Sequence, residues 1–173
     1  SEYEIIYVEK GEGDCLVGDS IISYSKGDLI LFGSELPHSM QSPPDGGEES
    51  DNEEKSEPKV RGVNIQFEKD FMHYSISQYS QFIPIRNLLE DACRGIKFTI
   101  TRSGKIIKLL EQIPSAKGAD QIILLLSLLQ MMATSNHKKY LTTSHYTPFP
   151  SIMRNERMEK VIAYLNKHYT ESG

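Results

Sequence analysis

Cysteine is scarce. The chain has 173 residues and two cysteines, Cys15 and Cys93, far apart. Two distant thiols make neither a disulfide framework nor a CxxC metal site, so a reducing cytoplasm is the expected setting. No apolar run reaches the roughly 18 residues that a membrane-spanning helix needs. The longest, IILLLSLLQMMA from Ile122 to Ala133, reads as a buried helix. No basic stretch followed by an apolar one opens the chain, so no signal peptide is expected. GxSxG, P-loop and GxGxxG motifs are missing, and no Ser/His/Asp set follows from spacing. Nothing in the sequence supports nucleophilic catalysis.

A basic excess is missing too. Net charge is −5, and it sits in one place. Residues 43–59 hold seven acids and two lysines, which leaves 17 basic and 17 acidic groups in the rest. The stretch Ser42 to Pro58 is too polar and too like-charged to pack, and reads as an insertion between strands. A neutral remainder lacks the positive face that phosphate-backbone binding requires, so this chain is not expected to bind DNA by itself.

What is present alternates first as strands and then as helices. YEIIYVE (Tyr3 to Glu9), CLVG, SIISY, LILF and HSMQS are short and rich in β-branched and aromatic residues. Gly11, Gly13, Gly18 and Gly27 punctuate them at turns. VRGVNIQF (Val60 to Phe67) resumes the alternation after the acidic stretch. Close strand spacing of this kind indicates a sandwich or barrel. From about Tyr79 the period changes. A helix is expected from near Pro84 to Gly95, then a short strand or link (Ile96 to Ile100), then a helix from Ser103 to Ile113 ended by Pro114. The helix Ala119 to Thr134 is apolar nearly all round, which suits full burial or a subunit interface. Leu124, Leu125, Leu128, Leu129 and Met132 cover one broad side of it and are the candidate dimerisation residues. Residues 135–151 read as a linker, and Met158, Val161, Ile162 and Leu165 mark one more amphipathic helix. An isolated amphipathic helix cannot bury its stripe, so its partner elements are expected elsewhere.

The β region resembles a cupin barrel. The second cupin motif places a Gly, five residues, a Pro, one residue, a Gly, two residues, a His, three residues and an Asn. Here Gly27 and His38 keep the spacing, while Gly33, Glu35 and Ser42 stand at the Pro, Gly and Asn positions. Of the first motif, Glu4 and Gly11 fit, and the HxH pair would fall just before or around residue 1. The longer pattern is narrower. YEIIYVEKGEG, KGDLILFGSELPH, VNIQF, PIRNLLEDACRGIKFT, a helical pair, a linker and ERMEKVIAYLNKHYTE resemble an AraC-family bacterial transcription regulator.

That resemblance implies a mainly β chain with α: a cupin-type double-stranded β-helix barrel (1–78) that senses a small molecule, a helical region supporting dimerisation (79–134), a linker (135–151), and the first helix of a truncated helix-turn-helix DNA-binding domain (152–173). It implies a homodimer, a small-molecule effector (commonly a sugar), no cofactor, and DNA binding by the full-length protein rather than through this part.

His38 admits three roles: metal ligand, effector contact, or a side chain bonding a neighbouring carbonyl. A cupin metal needs three or four converging N/O ligands, and the chain offers only Glu4 and His38 at such positions. No metal and no catalytic residue are therefore expected. Strand alternation puts His38 and Met40 on one face and Asn64 and Gln66 on one face of a later strand. Amides are costly to bury unpaired, so Asn64 and Gln66 face solvent or a polar cavity. Glu4, His38, Met40, Asn64 and Gln66 are the candidate ligand-binding residues. Two other classes stay open: a small metal-dependent cupin enzyme, isomerase or dioxygenase, and a cupin that serves only as a dimerisation scaffold.

Overall fold

The computed structural model describes residues 2–41, 60–100 and 103–146. The expected terminal helix and the acidic stretch lie outside the described residues. Within them two antiparallel sheets face each other, and four helices cover the outer side of the larger one.

The larger sheet is built around β1 (Glu2–Lys10), which pairs with β4 (Asp28–Phe32) on one side and β6 (Arg61–Glu68) on the other. β7 (Ile96–Thr99) pairs with β4, and β8 (Lys138–Tyr140) closes the far edge, for an order β6-β1-β4-β7-β8. The smaller sheet has the order β3-β2-β5, from β2 (Glu12–Val17), β3 (Ser20–Ser25) and β5 (His38–Gln41). The six early strands expected from alternation all form. LILF does not alternate because both its faces are covered: Leu29 and Leu31 point to the helices, and Ile30 and Phe32 to the second sheet.

Two segments depart from the sequence reading. Residues 135–151 read as linker throughout, yet Lys138–Tyr140 is a strand, in register with Ile96 to Phe98. An edge strand needs backbone hydrogen bonds more than apolar side chains, and lysines there discourage pairing with another molecule. The short helix α1 (His73–Gln78) carries too few apolar positions to announce itself.

The other helices follow their signals. α2 (Ile83–Asp91) has Pro84 in its first turn, where a missing N–H costs nothing. After a 3₁₀ turn over 92–94 the chain turns at Gly95, whose φ is +69°. Ser103 caps α3 (Gly104–Gln112) by accepting from the Ile106 N–H at 3.4 Å. α4 (Ala119–Ala133) is the longest.

Two apolar clusters hold these layers together. One lies between the larger sheet and the helices. It joins Ile5, Leu31, Phe67 and Phe98 to Leu88, Leu110 and Leu128. The other lies between the sheets and includes Val8, Cys15, Val17, Phe32, Leu36 and Leu141. The first cluster takes in the side of α4 expected to pair subunits. Leu125, Leu128, Leu129 and Met132 are buried in the chain's own core, and Leu124 packs partly against it. The side of α4 left to solvent carries Ile122 and Ile123.

Gly33 marks a close crossing. Its N–H donates to the Ala92 carbonyl at 2.8 Å, and a Cβ at Gly33 would sit 2.8 Å from that same oxygen. Gly33→Ala should therefore push the 3₁₀ turn away from the end of β4. A loss of about 1–3 kcal/mol is expected in urea unfolding; an unchanged midpoint would mean the crossing yields freely.

Candidate ligand-binding site

The register of three strands brings four polar side chains together. Glu4 on β1 lies opposite Gln66 on β6, and Asn64 sits one pleat further along the same face. On its other side Glu4 lies opposite Phe32 of β4. The smaller sheet supplies His38 from the start of β5, across from Val17.

The Glu4 carboxylate is the hub. Asn64 Nδ2 donates to its Oε1 at 3.4 Å, and Gln66 Nε2 to its Oε2 at 3.3 Å. His38 Nε2 lies 3.4 Å from Oε2. The other ring nitrogen, Nδ1, faces the Leu36 carbonyl at 2.9 Å. The ring itself stacks on Phe32, centroids 3.9 Å apart and 4° from parallel. The bond to a neighbouring carbonyl that sequence could only offer as an alternative is present, together with the contact to Glu4.

Both ring nitrogens thus face oxygen acceptors. A neutral imidazole has one N–H and can satisfy one of them; an imidazolium satisfies both. Burial works against the charged ring, but the Glu4 carboxylate and the Leu36 carbonyl outweigh it and raise the His38 pKa above the usual histidine value. The same contact with His38, aided by the two amides against burial, lowers the Glu4 pKa below the usual carboxylate range.

The three contacts to Glu4 are long for charge-assisted hydrogen bonds, which prefer 2.7–2.9 Å. Donors and acceptor are gathered but not drawn tight, and Asn64 and Gln66 are exposed. The cluster therefore opens to solvent on the β6 side with hydrogen-bonding capacity to spare. Met40 does not join it directly. It faces inward opposite Cys15 and packs against the cluster between the sheets.

Residues 1–51 match the AraC-like ligand binding domain family. The match spans β1 to β5, Glu4 and His38 included, and supports an AraC-family regulator with an N-terminal sensor domain. The family is that of a ligand-sensing regulatory domain. No curated protein matches the chain. Asn64 and Gln66 come from a strand beyond the matched residues, yet they bond the same Glu4 carboxylate.

Other features of the chain stand apart from this cluster. A solvent-open cleft of about 360 Å³ lies at the opposite edge of the larger sheet, lined by Lys97, Thr99, Asn136, His137, Lys138 and Lys139. Two of its lysines are already engaged. Lys97 bonds Asp28 at 3.1 Å and the Ser23 carbonyl at 3.2 Å, and Lys138 reaches the Ala133 carbonyl at the end of α4. Arg61 pairs with Glu9 on the surface. Cys15 is fully buried and its thiol pKa is pushed up to about 11 by burial, so it is inert at neutral pH. Cys93 is only half-buried, with its thiol also raised by burial. No helix among the described residues is long and apolar enough to cross a membrane.

A metal fits this site poorly. No group of three or more His, Cys, Asp or Glu side chains converges among the described residues. Glu4 and His38 supply two donors, and the His38 nitrogen nearest Glu4 favours a proton over a lone pair.

Sequence reasoning missed Phe32, which holds the His38 ring flat. The flanking turn signals placed Phe32 on a strand but could not pair β4 with β1. Once that register is known, Phe32 opposite Glu4 follows at once.

Proposed function

We propose that this chain is the sensing part of an AraC-type transcription regulator and binds a small polar effector at Glu4, His38, Asn64 and Gln66. The observation that carries the reading is the convergence of these four side chains, from three strands, around one loosely held carboxylate. In the same reading the two sheets are the halves of a cupin-type barrel, and the cluster marks its mouth.

The chemistry narrows the effector. One carboxylate accepts, two amides donate and accept, and the His38 ring donates. Phe32 and Met40 add apolar surface nearby. Such a set suits a neutral molecule rich in hydroxyl groups, a sugar or polyol, whose hydroxyls slip between Glu4 and its donors. The effector acts only through a difference in affinity between two arrangements of the domain. DNA binding then belongs to a C-terminal helix-turn-helix unit. Subunit pairing, if α4 takes part, uses the Ile122 and Ile123 side rather than Leu128.

The test is calorimetry and thermal shift against a panel of neutral sugars and polyols. One class should bind, and Glu4→Gln or Gln66→Ala should weaken it about tenfold or more, the worth of a lost hydrogen bond to a charged group. A panel that leaves the melting temperature flat, or a binder indifferent to both substitutions, overturns the assignment.

A further inference from the structure

Residues 141–146 leave the sheet after β8 and lie back across the turn between β2 and β3. Their anchors are specific. The Leu141 N–H donates to the Gly95 carbonyl at 3.0 Å, and the Thr142 N–H to the Arg94 carbonyl at 3.2 Å. The Thr143 N–H donates to Asp19 Oδ1 at 3.2 Å, and the Thr143 hydroxyl donates to Asp19 Oδ2. Arg94 Nη2 donates to the Thr143 carbonyl at 3.1 Å, with its guanidinium 4.8 Å from the Tyr140 ring centre. Leu141 is buried in the cluster between the sheets. Tyr146 lies against Gly18, where an added Cβ would come within 2.8 Å of its ring.

Both anchoring places touch the corner that carries His38. The Gly18 N–H donates to the Pro37 carbonyl at 2.9 Å, so the β2–β3 turn hangs on the residue just before His38. Gly95 is packed at once by Val17, Leu36 and Leu141. The corner itself is held by the His38 ring, through the Leu36 carbonyl and the Phe32 stack. Two short routes therefore join the Glu4 cluster to the departing chain. One runs from Pro37 through Gly18 and Asp19 to Thr143. The other runs from Leu36 through Gly95 to Leu141.

The seating is also easily reversed. The segment contains no helix, and the Asp19–Thr143 contact is exposed. The Thr142 hydroxyl and Arg94 Nε are buried there without a hydrogen-bond partner among the described residues, so the seated state is incompletely satisfied. Leu141 and Thr142 are buried, but residues 143–145 are exposed, and short exposed segments of this kind open locally below the global unfolding limit.

We propose that residues 141–146 form a strap whose seating on the β2–β3 turn depends on the His38 corner, so that the state of the Glu4 cluster is read where the chain leaves the sheet. As a device for reporting an effector, the strap rests on the function proposed above. The mechanical coupling does not, since it runs through contacts present without any effector.

Hydrogen exchange on the full chain separates the two. The amides of Leu141, Thr142 and Thr143 bond groups outside the strap when it is seated, and these are the reporters. Asp19→Asn should raise exchange across 141–146, fixing the signature of release. His38→Gln should raise exchange over the same residues by about threefold or more while α3 stays at the wild-type rate. Glu4→Gln, which loosens the ring without altering it, should act in the same direction. Coupling is reciprocal, so Thr143→Val should raise exchange at residues 36–41. Unchanged exchange at 141–146 in His38→Gln and Glu4→Gln overturns the strap, and so does a uniform rise across the whole chain. A chain that passes this test yet binds no polyol keeps the coupling and loses the effector.

Discussion

Leu128→Ala should lower the unfolding free energy by about 2–5 kcal/mol. Leu128 is wholly buried at the meeting of α4 with α2, α3 and the larger sheet. Its removal leaves a cavity that rigid strands on one side and two helices on the other cannot close. Ile123, by contrast, is 57% exposed on the same helix, and Ile123→Ser should change the unfolding free energy by about 0.5 kcal/mol or less. Urea unfolding at two protein concentrations checks both. A Leu128→Ala loss under about 1 kcal/mol, or one that shrinks or grows with protein concentration, would place Leu128 at a subunit boundary instead of in the core.

The second large effect is on pH dependence. The raised pKa of His38 means that its contribution to stability is complete below the ordinary imidazole value and is lost as pH rises through the higher folded value. The lowered pKa of Glu4 means that its contribution is complete above the ordinary carboxylate value and is lost as pH falls through the lower folded one. The pair therefore contributes fully between about pH 4.5 and 6.5. His38→Gln should remove the alkaline decline and cost about 1–2 kcal/mol inside that window, the worth of a charge-assisted hydrogen bond. The acid limb should persist, weakened, because Asn64 and Gln66 still donate to Glu4. The other described histidines, His73, His137 and His145, are exposed. A wild-type decline above pH 6.5 that survives unchanged in His38→Gln refutes this account of the pair.

How far the sequence reached depends on the kind of signal. Strands β1 to β6 were legible because alternation and turn glycines are local properties. So were α2, α3 and α4, through Pro84, Ser103 and a long apolar period. The four polar residues of the cluster were legible from pleat parity plus the resemblance. That Asn64 and Gln66 bond the same carboxylate was not, because it depends on β6 lying beside β1, some sixty residues away in the chain. The side of α4 that turns inward was illegible for a related reason. A helix apolar all round carries no sign of which face meets the core. β8 was missed because the edge of β7 dictates it, and Lys138, Lys139 and Tyr140 carry no strand pattern of their own.

The central place of β1 has a consequence for how the molecule is made. Strand β1 pairs on one side with residues 61–68, and the far edge of the same sheet is closed by residues 138–140. Local pairing alone can assemble only the β2–β3 hairpin. Everything else waits for distant chain, so folding should be slow in the manner of nonlocal β topologies. A nascent chain stalled before residue 138 carries an unpaired β7 edge and a core without Leu141. Such an intermediate exposes a strand ready to pair with a neighbour, and it is the stage at which a chaperone has most to protect.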